Sequence, residues 1–126
     1  MTTATKRPIF LNLFEIKLPI AGVMSILHRI TGAVMFLAIP VMLYLLDLSL
    51  SGPDGYAAAS DFVHSWVGVL VVFALIWSLM HHLLAGIRYL LIDVHIGVEK
   101  PLFRQTAWVA TILAPGLALI LTGAVL

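Results

Sequence analysis

The sequence contains no cysteine. This excludes disulfide bonds, cysteine-based metal sites, thiol catalysis and iron–sulfur clusters held by this chain itself. Charge is also scarce, because only 10% of the 126 residues are Asp, Glu, Lys or Arg, whereas about 25% is usual in soluble domains. So few charges cannot cover the surface of so short a chain in water. The net charge is only +1, so no basic surface suited to nucleic acid is expected.

Apolar residues make up 62% of the chain, and the mean hydropathy is +1.11. A membrane-spanning helix needs about 20 mostly apolar residues. Three stretches meet this length, and with their flanking residues we place the spans at about 22–50, 62–92 and 104–126. The sequence therefore predicts an all-α integral membrane protein with three transmembrane helices, in which residues 1–126 form a single membrane-anchor domain.

The segment Arg7–Pro19 is apolar but contains Glu15 and Lys17, and it is too short to span a bilayer. We expect it to lie in the membrane interface, as amphipathic segments do.

The basic residues are distributed unevenly along the chain. The connection between the first two spans contains Asp54 and Asp61 and no base, whereas the N-terminal part and the surroundings of the second connection carry all seven bases. These are Lys6, Arg7, Lys17, Arg29, Arg88, Lys100 and Arg104. Because basic residues favour the cytoplasmic side, we expect a cytoplasmic N-terminus and a periplasmic C-terminus.

A first polar cluster occurs at Ser25, His28 and Arg29, close to the cytoplasmic end of the first span. Ser25 and Arg29 are four residues apart and share a helix face, whereas His28 is turned about 100° from Arg29. A hydroxyl, an imidazole and a guanidinium at a membrane boundary can bind an anionic or carbonyl-bearing ligand. Alternatively, Ser25 bonds to its own helix and Arg29 reaches lipid phosphate.

A second polar cluster contains His81, His82, Gly86 and Arg88. His82 lies roughly 9 Å deeper than Arg88 along a helix, and a neutral imidazole at that depth suits haem iron. The alternative is a histidine hydrogen-bonded to a neighbouring helix. His81 is the competing ligand by spacing alone. His64 would lie about 27 Å from His82 on a straight helix, too far to share one iron.

No nucleophile–base pair or carboxylate pair occurs in the sequence, so we do not expect bond-making chemistry from this chain alone. It could hold a cofactor or a lipid-soluble ligand between its helices. Two alternatives stay open at this point: a small transporter or channel subunit that uses intramembrane His and Arg, and a structural assembly factor without a ligand.

Together the two clusters resemble the cytochrome b large membrane-anchor subunit of succinate dehydrogenase (succinate:quinone oxidoreductase, respiratory complex II). The resemblance is carried by Arg7-Pro8, by Ser25-x-x-His28-Arg29-x-Thr31-Gly32, and by His82-x-x-x-Gly86-Ile87-Arg88 with Asp93 following. It covers roughly residues 7–95 and includes the plan of three spans.

The resemblance implies a role for each matching residue. His82 matches the axial ligand of haem b, whose other axial histidine comes from a small membrane-anchor subunit. His28 and Arg29 match residues that meet the haem propionates. Ser25, Ile26 and Arg29 match residues that line the pocket for ubiquinone or menaquinone.

The resemblance also implies partners and a location. Electrons would pass from succinate through a flavoprotein subunit and an iron–sulfur subunit to the quinone. The chain would lie with the small membrane-anchor subunit in the lipid bilayer of the bacterial inner (cytoplasmic) membrane. The anchor of a fumarate reductase, which uses the same quinone chemistry, is the nearest alternative.

Overall fold

A computed structural model describes residues 17–126, which form four helices joined by short connections. The helices are α1 (Ile20–Leu50), α2 (Pro53–His64), α3 (Trp66–Asp93) and α4 (Leu102–Val125). Of these, α1, α3 and α4 are long and apolar enough to cross a bilayer. This confirms the predicted all-helical fold with three membrane spans. Most of the predicted interfacial segment, residues 7–16, lies outside the described residues.

The large apolar side chains of the long helices point away from the bundle. Phe36, Leu37 and Ile120 are 71%, 68% and 69% exposed. Most of the buried side chains are small, although Met24, His81 and Arg88 are also buried. On α4 the buried residues form a stripe of Ala107, Ala110, Ala114, Ala118 and Thr122. Small residues let membrane helices approach closely, and the exposed apolar belt suits contact with lipid or other membrane helices. The chain is a multi-pass membrane protein.

The connection between the first two spans is itself helical, because α2 occupies most of it. The second spanning helix starts at Trp66 rather than near residue 62. Ser65 interrupts the helix with extended backbone (φ −66°, ψ 157°), and its Oγ accepts a hydrogen bond of 3.1 Å from the Gly68 N–H. A Cβ on Gly68 would overlap the Phe62 carbonyl oxygen. The apolar pair Phe62 and Val63 lies just before this corner, so the apolar pattern placed the start of the span too early.

Helix α3 is the centre of the bundle, because it packs against both α1 and α4. Its buried residues include a stripe with helical spacing: Ser78, His81, Ala85 and Arg88. His82 and Gly86 are each one residue further along the chain, so they occupy a neighbouring face of α3. The predicted site residues of α3 therefore divide between a buried face and a second face that meets α1.

Candidate functional site

Two histidines from different helices, His28 of α1 and His82 of α3, meet near one end of the bundle. Their ring centroids are 3.9 Å apart and the ring planes differ by 15°, so the imidazoles are stacked. The ring of Tyr89 meets His28 edge-on, with a centroid distance of 5.3 Å and an angle of 79°. The two polar clusters, which are far apart in the sequence, therefore form one site.

A glycine on each helix makes room for the histidine of the other. A Cβ on Gly32 would lie 2.9 Å from His82 Cε1 and 3.3 Å from His82 Nδ1. A Cβ on Gly86 would lie 3.6 Å from His28 Nε2. The missing side chain at Gly32 thus allows the His82 ring to approach α1, whereas a methyl group at Gly86 would make an ordinary contact with His28.

One hydrogen bond defines the proton position on the His82 ring. His82 Nδ1 lies 3.0 Å from the backbone carbonyl oxygen of His28. Because a carbonyl oxygen only accepts, Nδ1 must carry the hydrogen. In a neutral imidazole the other nitrogen, Nε2, then has a lone pair available for a metal. Ligating histidines are commonly oriented by such a bond from their second nitrogen.

His81 and His82 are adjacent in sequence but have different surroundings. His81 is 1% exposed, and neither of its ring nitrogens has a hydrogen-bond partner among residues 17–126. Its ring centroid lies 6.4 Å from that of Trp77 on the same helix. His82 is only partly buried. The bundle therefore encloses His81, whereas the His82 ring keeps some exposed surface.

Ser25, Ile26 and Arg29 lie on α1, within one turn of His28. Arg29 is exposed, Ile26 is 44% exposed and Ser25 is half-buried. Arg29 lies four residues from Ser25 and three from Ile26, and both spacings bring side chains together on a helix surface. A guanidinium, a hydroxyl and an apolar wall are thus available at the outer surface of α1, beside the histidine pair.

Arg88 is placed differently from the other polar residues, because it joins α3 to α4. It is 6% exposed. Its Nε donates to Thr106 Oγ1 at 3.0 Å, and its Nη2 donates to the Phe103 carbonyl oxygen at 2.8 Å. The guanidinium carbon also lies 4.5 Å from the centroid of the Phe103 ring. Arg88 is therefore engaged inside the bundle rather than at the surface near Arg29.

Comparison with known proteins identifies relatives over most of the chain. The family model described as succinate dehydrogenase/fumarate reductase transmembrane subunit matches residues 3–123. The succinate dehydrogenase cytochrome b556 subunit of Paracoccus denitrificans is 36% identical over 93 residues, covering 74% of this chain and 72% of the relative. The chain belongs to the succinate dehydrogenase cytochrome b anchor family. The cytochrome b556 subunit of Coxiella burnetii is 31% identical over 120 residues and covers 94% of both chains. The cytochrome b560 subunit of Reclinomonas americana is 34% identical over 99 residues, covering 74% of this chain and 68% of the relative.

Three residues of this anchor subunit have contacts that the sequence analysis did not assign, namely Thr31, Gly32 and Arg88. A signal for Gly32 exists, because His28 and Gly32 have the same four-residue spacing as His82 and Gly86. Two His-x-x-x-Gly segments on neighbouring helices predict reciprocal packing, in which each glycine receives the ring of the other helix. No comparable signal identifies the partners of Arg88, since Phe103 and Thr106 are unremarkable in the sequence.

Proposed function

We propose that this anchor subunit binds haem b and quinone in succinate dehydrogenase and passes electrons from the iron–sulfur subunit to ubiquinone. The observation that carries this proposal is the hydrogen bond from His82 Nδ1 to the His28 carbonyl oxygen. It leaves Nε2 as the basic nitrogen of a partly exposed imidazole in a membrane helix, which suits haem iron. The reverse direction, as in a fumarate reductase, would use the same residues.

In this proposal His82 would bind the iron of haem b together with a histidine of the small membrane-anchor subunit. Residues 17–126 contain no group of three or more His, Asp or Glu side chains that could hold a metal ion. A haem iron shared with a partner needs only one ligand from this chain, so the available donor fits. His28 and Arg29 would meet the propionates. When bound, haem b would supply a one-electron carrier.

Ser25, Ile26 and Arg29 form this subunit's part of the quinone site. The Ser25 hydroxyl donates a hydrogen bond to a quinone carbonyl oxygen, and Ile26 provides an apolar wall. The Arg29 guanidinium stabilises the negative charge that develops on the quinone oxygen during reduction. The balanced reaction adds two electrons and two protons to ubiquinone to give ubiquinol, with the electrons supplied through the iron–sulfur subunit.

The distribution of basic residues supports a side of the membrane for the remaining partners and for each terminus. The flavoprotein and iron–sulfur subunits would lie on the cytoplasmic side, where Arg29 and the exposed bases Lys100 and Arg104 are found. The small membrane-anchor subunit would pack beside the exposed apolar faces. The chain would thus be a multi-pass protein of the bacterial inner membrane, with its N-terminus cytoplasmic and its C-terminus periplasmic.

The haem assignment is tested by replacing each adjacent histidine in the intact complex. We expect His82→Ala to abolish or strongly shift the b-type signal in a reduced-minus-oxidised spectrum. His81→Ala is the matched control, because it removes the same side chain one position away, and it should retain that signal. A retained signal in His82→Ala together with its loss in His81→Ala would assign the ligand to His81 instead.

The quinone assignment is tested by two activities of the same preparation. Ser25→Ala and Arg29→Leu should lower quinone reduction by about tenfold or more, the effect of losing a group that stabilises developing charge. Succinate oxidation with a soluble acceptor should persist in both variants. Arg104→Leu removes another exposed cation and serves as the control. An equal fall of both activities in Ser25→Ala and Arg29→Leu would place the quinone site elsewhere.

A further inference from the structure

Two side-chain donors lie within hydrogen-bond distance of the His28 carbonyl oxygen. His82 Nδ1 lies 3.0 Å from this oxygen, and Thr31 Oγ1 also lies 3.0 Å from it. The same hydroxyl lies 2.9 Å from the Leu27 carbonyl oxygen. Thr31 is 1% exposed, so its single hydroxyl hydrogen must be used by one of these two carbonyl groups.

We infer that Thr31 and Gly32 are positioning residues for His82: the Thr31 hydroxyl tunes the hydrogen bond at His82 Nδ1, and Gly32 determines where the imidazole ring sits. Through His82 they would adjust the reduction potential of the haem. This inference rests on the proposed function, since it requires His82 to be the haem ligand.

The effect of Thr31 arises because its hydroxyl and His82 Nδ1 share one acceptor, the His28 carbonyl oxygen. When the Thr31 hydroxyl also donates to the His28 carbonyl oxygen, that oxygen has less electron density available for the Nδ1 hydrogen. A stronger bond at Nδ1 makes an imidazole more basic and a better donor to iron. A more strongly donating axial ligand stabilises oxidised iron and lowers the reduction potential. Removing the hydroxyl should therefore lower the potential.

The effect of Gly32 follows from contact distance. A Cβ at this position would lie 2.9 Å from His82 Cε1 and 3.3 Å from Nδ1, so the ring would have to move. The ring is also held by its stack on His28 and by the hydrogen bond at Nδ1. Any displacement that relieves the contact therefore changes the hydrogen bond as well.

The test uses potentiometric titration of the haem in the intact complex. Thr31→Val removes the hydroxyl and keeps the branched shape, whereas Thr31→Ser keeps the hydroxyl. We expect Thr31→Val to make haem reduction less favourable by about threefold to tenfold in the equilibrium constant, the size of a modest hydrogen-bond effect. For one electron this corresponds to about 28 to 59 mV. Thr31→Ser should stay close to the unmodified protein.

Gly32→Ala provides a second, independent variant. It should change the spectroscopic signature of the axial imidazole in electron paramagnetic resonance, because the ring is displaced. Gly116→Ala is its control, since a Cβ on Gly116 meets nothing within 4 Å, and it should leave the signature unchanged.

The outcomes separate this inference from the proposed function. If His82→Ala retains the b-type signal, the ligand assignment fails and this inference fails with it. If His82→Ala loses the signal but Thr31→Val and Thr31→Ser have the same potential, only the role of Thr31 is overturned. An unchanged signature in Gly32→Ala would likewise overturn the role of Gly32 alone.

Discussion

At the scale of single residues, the site depends on two glycines that are not equivalent. Each glycine faces the histidine of the opposite helix, but the available space differs. A Cβ would lie 2.9 Å from the His82 ring at Gly32 and 3.6 Å from the His28 ring at Gly86. The first distance requires the ring to move, whereas the second is an ordinary van der Waals contact. The same substitution should therefore have opposite consequences at the two positions.

We expect Gly86→Ala to be tolerated. The new methyl group fits against His28, and alanine favours a helix over glycine by about 1 kcal/mol in soluble hosts. The b-type spectrum and the thermal stability of the complex should match or slightly exceed those of the unmodified protein. Loss of the haem signal in Gly86→Ala would show that the space beside this glycine is needed by a group other than His28.

At the scale of secondary-structure elements, α3 makes different contacts on adjacent faces. The face that includes His82 and Gly86 meets α1, where the histidine pair forms. The buried stripe that includes His81 and Arg88 lies inside the bundle. Arg88 links the end of α3 to the beginning of α4 through a hydroxyl, a backbone carbonyl and an aromatic face. Arg88 thus stabilises the helical hairpin.

We expect Arg88→Leu to destabilise this hairpin by about 1 to 3 kcal/mol, because two hydrogen bonds and a cation–π contact are lost. The measurement is the apparent melting temperature of the detergent-solubilised complex, which should fall. The melting temperature of Arg88→Lys should fall less, because an ammonium group still donates hydrogen bonds but cannot reproduce the planar two-point contact of the guanidinium. The exposed Arg104→Leu is the control. A lower quinone-reductase rate in Arg88→Leu without any loss of stability would contradict a structural role.

At the scale of the whole molecule, small residues are buried and large apolar residues face outward. This distribution is the reverse of that in a soluble protein, and it suits a chain surrounded by lipid and by other membrane helices. The acidic connection between α1 and α3, which contains α2, and the basic connection between α3 and α4 lie at opposite ends of α3. Together with the charge distribution, this separation makes the orientation testable.

The absence of cysteine makes the orientation measurable by single-cysteine labelling. Asp54→Cys and Glu99→Cys place one thiol in each connection, and both native residues are exposed. We expect a membrane-impermeant maleimide to label Asp54→Cys in intact spheroplasts. Glu99→Cys should be labelled only after lysis in denaturant, which also removes any covering subunit. The opposite pattern would reverse the proposed topology.

Several features of the site could be predicted from the sequence, and others could not. Composition and the spacing of apolar residues were sufficient for three spanning helices, because a bilayer demands long apolar helices. The resemblance carried by the two polar clusters was sufficient to predict the family. The break at Ser65 and the partners of Arg88 were not predicted, since both depend on specific contacts that apolar periodicity does not identify.

The sequence by itself determined the class of protein, its spans and its candidate ligands, because these follow from residue type and local periodicity. Only the tertiary structure decided how His28 and His82 meet. It also showed which ring nitrogen of His82 carries the hydrogen and which histidine the bundle encloses. The physical reason is that α1 and α3 approach through Gly32 and Gly86, and the resulting hydrogen bond joins atoms 54 residues apart in the chain.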